Sequence, residues 1–273
     1  MSLSKKIQKH KISGSLKKIK TPRHMITCKK SENGEEDCSL KKTEQLRWLN
    51  NIDIENLINE IIMEYKKYTP ESKKKIIYMG HFPMDWYECA QCNSRYHAHD
   101  NCKQLYNLNI NHYDEYDSLF FIFNLDKHTG PGTHWVALHL NPKQRCAHYY
   151  DSIGRHPPNN IITLLKHFNS KLTNPFEELL HSAAQHQEKG GECGVFCISF
   201  ITHLLLSEFS DNNNYKEFVN QQLFHNDMMY LRSKLYGPIW LEQYEKENGH
   251  RNIPQTLKNS AIWKLLTSLE VNP

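Results

Sequence analysis

The segment from Val195 to Leu206 is apolar on nearly every side. Val195, Phe196, Ile198, Phe200, Ile201, Leu204 and Leu205 leave no continuous polar face on a helical wheel. Such a helix has to be enclosed all round, so the pattern predicts a buried central helix with the rest of the chain wrapped about it. At 273 residues the chain is long enough for one sizeable core and a small accessory region. Ser199, Thr202 and His203 interrupt the run. No stretch approaches the roughly 18–20 consecutive apolar residues of a membrane helix.

Three strand candidates precede this helix at close intervals: "SLFFIFNL", "THWVALHLN" and "CAHYYDS". The connections "DKHTGPG" and "PKQR" are short, which predicts antiparallel neighbours. A further short run, "KKIIYMGHFP", reads as β followed by a turn. Ile54, Leu57, Ile58, Ile61 and Ile62 recur at spacings of three and four, the mark of an amphipathic helix ended by Thr69-Pro70. "PPNNIITLLKHFNSKL" predicts a helix opened by its asparagines, with Ile161, Ile162, Leu165 and Phe168 inward. Amphipathic helices are also expected around 215–224 and 227–236, while "FEELLHSAAQHQ" stays open between helix and strand. The sum is an α+β fold, a small sheet packed on helices.

Charge divides the chain. Residues 1–30 hold ten Lys/Arg and no acid, leaving 24 basic against 30 acidic residues in the remainder. Residues 1–44 are therefore expected to be a basic, disordered arm, with non-specific DNA binding or nuclear import as its functional reading. Residues 45–76 form a helical N-terminal extension in this scheme, and 77–273 the main domain. The first residues contain no apolar signal-peptide core. The eight cysteines, Cys28, Cys38, Cys89, Cys92, Cys102, Cys146, Cys193 and Cys197, are accordingly expected as thiols, metal ligands or catalytic groups.

Cys193 begins the central helix. Backbone N–H groups at a helix N-terminus stabilise a thiolate, while Gly190 and Gly191 remove side chains from the path of an approaching backbone. Its plain alternative is a buried filler, which suits Cys197 one turn later. A thiolate needs a histidine partner, and His134 stands at the head of a strand after the loop "TGPGT". His139, five residues on, falls on the opposite face. Asp151 ends the next strand and lies level with His134 if the hairpin closes, otherwise serving as a turn cap. Gln187 can offer its amide to an oxyanion together with the Cys193 N–H.

In order and spacing, "THWVALHL", "YYDS" and "HQEKGGECGVF" resemble the Ulp1/adenain superfamily of cysteine proteases, over about Tyr78 to Leu206. "FPMDW" is similar to the segment before the histidine in viral members. The resemblance implies a papain-like α+β protease fold, its small, mostly antiparallel sheet packed on a central helix that carries the nucleophile. It implies His134 as base, Asp151 as its orienter, Gln187 in the oxyanion hole, Cys193 as nucleophile and Trp135 beside the Cys–His pair. It further implies cleavage at Gly-Gly-X or Gly-X-Gly and processing of viral structural precursors during virion maturation. The expected location is the virion and the host cytoplasm or nucleus. Adenovirus-type enzymes carry Glu where Asp151 stands, and their glutamine lies one residue further from the cysteine.

Two other functions stay open: removal of SUMO or ubiquitin, and a nucleic-acid-binding module on an inactive protease-like fold. No cofactor is expected for the chemistry, although a DNA or peptide activator fits the basic arm. A structural zinc site is the competing reading of "CAQCNSRYHAHDNC", with Cys89, Cys92, His97, His99 and Cys102 as candidates. Thiols near a substrate groove would produce the same letters without a metal.

Overall fold

The computed structural model describes residues 26–30, 36–40, 48–92, 97–177, 179–236, 241–242, 244–246 and 253–270. The basic arm expected over 1–44 lies largely outside them. Ten of its residues depart from the disorder expected there: β1 (Ile26–Lys30) and β2 (Glu36–Leu40) pair antiparallel, with Cys28 opposite Cys38.

Helix α1 (Asn51–Tyr68) is opened by a reciprocal capping box. The Asn50 side chain accepts the Asp53 N–H at 2.9 Å, and the Asp53 carboxylate accepts the Asn50 N–H at 3.0 Å. Its five predicted isoleucine and leucine positions are all buried. They pack into one hydrophobic core with the central helix and the sheet, together with Leu49. The segment expected as an extension is thus continuous in its packing with the residues after 77.

A five-stranded sheet follows in the order β3-β4-β5-β6-β7. It comprises β3 (Ile76–Pro83), β4 (Ser118–Asn124), β5 (Trp135–Asn141), β6 (Cys146–Tyr150) and β7 (Leu179–Leu180). The three predicted strands do pair antiparallel, β4 with β5 and β5 with β6. Both edge pairings are parallel, so the antiparallel character belongs to the centre of the sheet. The parallel β3–β4 pair needs a crossover. It is supplied by α2 (Trp86–Gln91) and α3 (His97–Tyr106). The open segment "FEELLHSAAQHQ" resolves into the two residues of β7 and an irregular loop that leads on toward Glu192.

Each strand of the centre is buried on both faces, which accounts for apolar runs without polar alternation. On one face lie Phe120, Ile122 and Ala137 with α1 and the central helix α5 (Cys193–Leu206). On the other, Phe121, Phe123, Val136 and Leu138 meet α2, α3 and α4 (Asn159–Asn169). Thirteen of the fourteen α5 residues are buried, as its all-round apolar surface requires. Ser199 and Thr202 satisfy their hydroxyls on the carbonyls one turn back, at 2.8 Å each.

Three local expectations are corrected. Helix α4 is preceded by Pro158 as N-cap, which has no side-chain acceptor to offer; Asn160 lies inside the helix, and its amide donates to the Met84 carbonyl at 2.8 Å. Its inward set contains Leu164, with Ile162 only half-buried. The helix expected at 215–224 is α6 (Asn212–Val219), started earlier by Asp211, which accepts from the N–H groups of Asn213 and Asn214. It is followed by α7 (His225–Tyr236), and later by α8 (Gln255–Asn259) and α9 (Ala261–Glu270). Among the described residues no helix is long and apolar enough to cross a membrane.

Candidate active site

The β5–β6 register sets Ala137 opposite Tyr150, which brings the head of β5 beside the tail of β6. His134 and Asp151, just beyond those ends, meet at 2.6 Å between Nε2 and Oδ1. Both are buried. Asp151 Oδ1 also accepts the Ile153 N–H at 2.9 Å, which fixes the carboxylate against the turn. The loop before His134 is held by the Leu125 N–H to the His134 carbonyl at 2.8 Å, extending the β4–β5 ladder.

The first residue of α5, Cys193, reaches the same imidazole and hydrogen-bonds to it. With Nε2 committed to Asp151, Nδ1 is the nitrogen left for the thiol. Burial disfavours an imidazolium here, but the hydrogen bonds to Asp151 and Cys193 outweigh it and raise the His134 pKa to about 9. A group raised in this way carries its positive charge through neutral pH. His139 lies elsewhere: it contacts His148 at 3.0 Å and Ser118 at 3.1 Å within the core.

The N-cap residue of α5, Glu192, makes no side-chain cap. Its carboxylate is 1 % exposed and turns away, to Arg232 Nη2 at 2.9 Å and to His225 Nδ1 at 3.1 Å, both on α7. This leaves the first-turn amides of α5 clear of a carboxylate, as an oxyanion site requires. Gln187 is held from both ends. Ser152 Oγ donates to its Oε1 at 2.7 Å, and its Nε2 donates to the Gly190 carbonyl at 2.8 Å. Nε2 carries a second proton, available to an anion. The backbone N–H of Gln187 also donates to the Ser152 carbonyl at 2.8 Å.

Gly190 and Gly191 are small for different reasons. Gly190 has φ +78°, and a Cβ there would collide with His225 and Glu192. A Cβ on Gly191 would overlap the indole of Trp48. Trp135 donates its Nε1–H to the Leu49 carbonyl at 3.0 Å. The chain before α1 is thereby tied to β5 beside His134, with Trp48 lying over the glycine loop.

His134, Asp151, Gln187, Cys193, Trp135, Gly190 and Gly191 thus converge at one end of the sheet. Trp48, Ser152, Glu192, His225 and Arg232 are additions that sequence reasoning did not find. A tryptophan two residues before the helix-capping Asn50 was the one local signal among them. Of the metal candidates, Cys89, Cys92 and Cys102 lie together on α2 and α3, away from this site, and the side chains of His97 and His99 fall outside the described residues.

The profile of the Ulp1 protease family, C-terminal catalytic domain, matches residues 47–243. A protein of Acanthamoeba polyphaga mimivirus, named provisionally as a thiol protease, is 30 % identical over 176 residues, 60 % of this chain and 50 % of that one. A protein of African swine fever virus named SUMO-1 cysteine protease is 28 % identical over 120 residues, 42 % of each chain. The chain therefore spans about half the length of the curated relatives it matches. The crystal structure of an African swine fever virus protease shares the fold, with a TM-score of 0.50 at 17 % identity over 72 % of this chain and 70 % of that one.

Proposed function

Since the chain belongs to the Ulp1 protease family, we propose that it is a cysteine endopeptidase with Cys193 as nucleophile. The observation that carries this reading is a single buried imidazole, His134, gripped by Asp151 on one side and bonded to Cys193 at a helix N-terminus on the other. In the reacting form the Cys193 thiolate faces the His134 imidazolium. The Cys193 sulfur attacks the scissile carbonyl carbon, and the oxyanion is received by the Cys193 N–H and the Gln187 amide. His134 gives its proton to the departing amine as the C–N bond breaks, leaving a thioester. Neutral His134 then takes a proton from water, whose hydroxide displaces the thiolate and releases the acid.

The Trp48 indole over Gly191, with Trp135 beside it, favours a narrow passage in which only glycine-sized residues pass. This supports Gly-Gly-X or Gly-X-Gly bonds as substrates; the viral relatives support a viral thiol protease, and structural precursors cut during virion maturation are the substrates we propose for it. The relative named for SUMO-1 supports a second reading, removal of SUMO-like proteins, whose tails would use the same passage. Hydrolysis of a peptide panel carrying these bonds, beside SUMO and ubiquitin fusions and with and without DNA, separates the readings. Cutting of short glycine peptides is the expected result, with kcat/KM lowered about tenfold or more in Trp48→Ala. Cutting confined to fusions would select the second reading, and no cutting under any condition would overturn both.

The charge on His134 sets a pH dependence. Activity should decline as pH rises through about 9, where the imidazolium is lost. Asp151→Asn keeps a hydrogen-bond partner but removes a carboxylate that holds this pKa up. The variant should retain partial activity, with the alkaline limb of kcat/KM displaced toward neutral pH. An alkaline limb that does not move would remove Asp151 from this role.

A further inference from the structure

Helix α2 ends in a Cys-x-x-Cys that the protease chemistry does not use. Cys89 is fully buried on the helix, and Cys92 is its C-cap residue. The thiols of Cys89 and Cys92 and a ring nitrogen of His128 all lie within 4.8 Å of one another. His128 comes from far along the chain, in the loop between β4 and β5 that leads to His134.

The placement of His128 is itself built. Asp85, the N-cap residue of α2, leaves the helix amides without a side-chain cap. Its carboxylate instead accepts the His128 backbone N–H at 2.8 Å and contacts the ring Nδ1 at 2.8 Å. A carboxylate on Nδ1 fixes the tautomer with its proton there and leaves the Nε2 lone pair for a metal. This carboxylate–histidine arrangement is what metal-binding imidazoles ordinarily carry behind them. The Cys102 thiol of α3 is buried and hydrogen-bonded to that of Cys89, so it adjoins the cluster from one side without lying within 4.8 Å of all three atoms.

We propose that Cys89, Cys92 and His128, with Cys102 completing the set, bind a structural zinc ion. Metal–ligand bonds of about 2.0–2.3 Å put tetrahedral donors roughly 3.3–3.8 Å apart, so the three atoms need to close by about an ångström. Three thiolates and one imidazole suit zinc over the hard cations, which take oxygen. The ion would join α2, α3 and the β4–β5 loop, cross-linking the face of the sheet opposite α5. His128, far from the Cys-x-x-Cys in sequence, is a ligand that spacing within 89–102 did not suggest. Four protein ligands close the coordination shell, so the site is structural and takes no part in peptide hydrolysis.

The test is the metal content of the full chain purified from zinc-supplemented medium under reducing conditions. The expected result is close to one zinc per chain, reduced about tenfold or more in Cys89→Ser and His128→Asn. Cys146→Ser, on β6, should leave it unchanged. A measurement on the unaltered chain covers variants that fail to fold. Exchange for cobalt(II) should give the thiolate charge-transfer and strong visible bands of a tetrahedral sulfur-rich site, and the ion should protect Cys89 and Cys92 from alkylation. A metal-free wild-type protein would overturn the proposal. So would zinc retained equally in both variants, or a disulfide among these three cysteines in place of the metal.

Discussion

Replacing Cys193 by alanine is expected to abolish peptide hydrolysis, by about 10⁴-fold or more in kcat, while the protein stays folded. The loss is large because the sulfur forms the bond that divides the reaction into two steps, and no neighbouring group can take its place. The fold should tolerate the change, since alanine is a good helix former and removes only one small atom beside the loop. Cys197, one turn along α5, is the control. It is fully buried among apolar residues, and burial pushes its thiol well above the ordinary range. Cys197→Ala should therefore keep its activity and lose some stability. Alkylation at neutral pH should label Cys193 first and inactivate in step with labelling. Residual cleavage by a folded Cys193→Ala protein at a rate near wild type would dismiss Cys193 as the nucleophile.

A steep loss of stability in mild acid is the second large effect. His139 and His148 are fully buried and stacked, with ring centroids 5.2 Å apart. The His148 ring meets Asn212 Oδ1 at 2.7 Å and also stacks on Tyr215. Burial lowers the His148 pKa to about 4, and burial together with its neighbours His148 and Lys74 pushes His139 well below its usual value. Both rings are thus neutral when folded but take up protons when unfolded. A lowered pKa contributes stability that is complete above the unfolded value, near 6.5, and is lost as pH falls toward the folded one. Each ring then removes about 1.4 kcal/mol per pH unit below 6.5. By pH 5 the pair together removes ~4 kcal/mol, a large share of the roughly 5–15 kcal/mol that holds a domain folded.

The raised pKa of His134 acts in the other window. Its contribution is complete below about 6.5 and fades as pH rises through about 9, so it adds no slope in acid. Thermal unfolding measured from pH 7.5 to 4.5 should show Tm falling sharply below 6.5. In His148→Gln, one titrating ring is gone and the fall should be shallower, even if the variant starts less stable. A Tm that stays level over this range would contradict the neutral, buried pair.

Much of this architecture was legible in local patterns. The apolar wheel of α5 demanded enclosure, and its thirteen buried residues follow from that pattern alone. The spacing of Ile54 to Ile62 predicted the buried face of α1, and short connections predicted the antiparallel centre of the sheet. What failed locally failed where a tertiary partner competed. Asn160 was expected to open α4 but bonds Met84 across 76 residues of chain. The two-residue β7 was ambiguous because its identity rests on a parallel partner, β6, that no local pattern contains.

The order His134, Asp151, Gln187 and Cys193, and the helix start beneath the cysteine, are properties of the sequence by itself. The helix start is a short-range fact of periodicity within about ten to twenty residues, whereas the roles of the four residues came from the resemblance of their order and spacing to the Ulp1/adenain proteases. Only the tertiary structure decided that Trp48 covers Gly191, that Glu192 turns from its helix to Arg232 and His225, and that His128 joins Cys89 and Cys92. Each of these joins segments far apart in the chain. A tryptophan, a glutamate or a histidine has many possible partners along 273 residues. The partner it takes is set by which surfaces the packed helices and sheet bring within a few ångströms, where a buried charge or ring has to be satisfied.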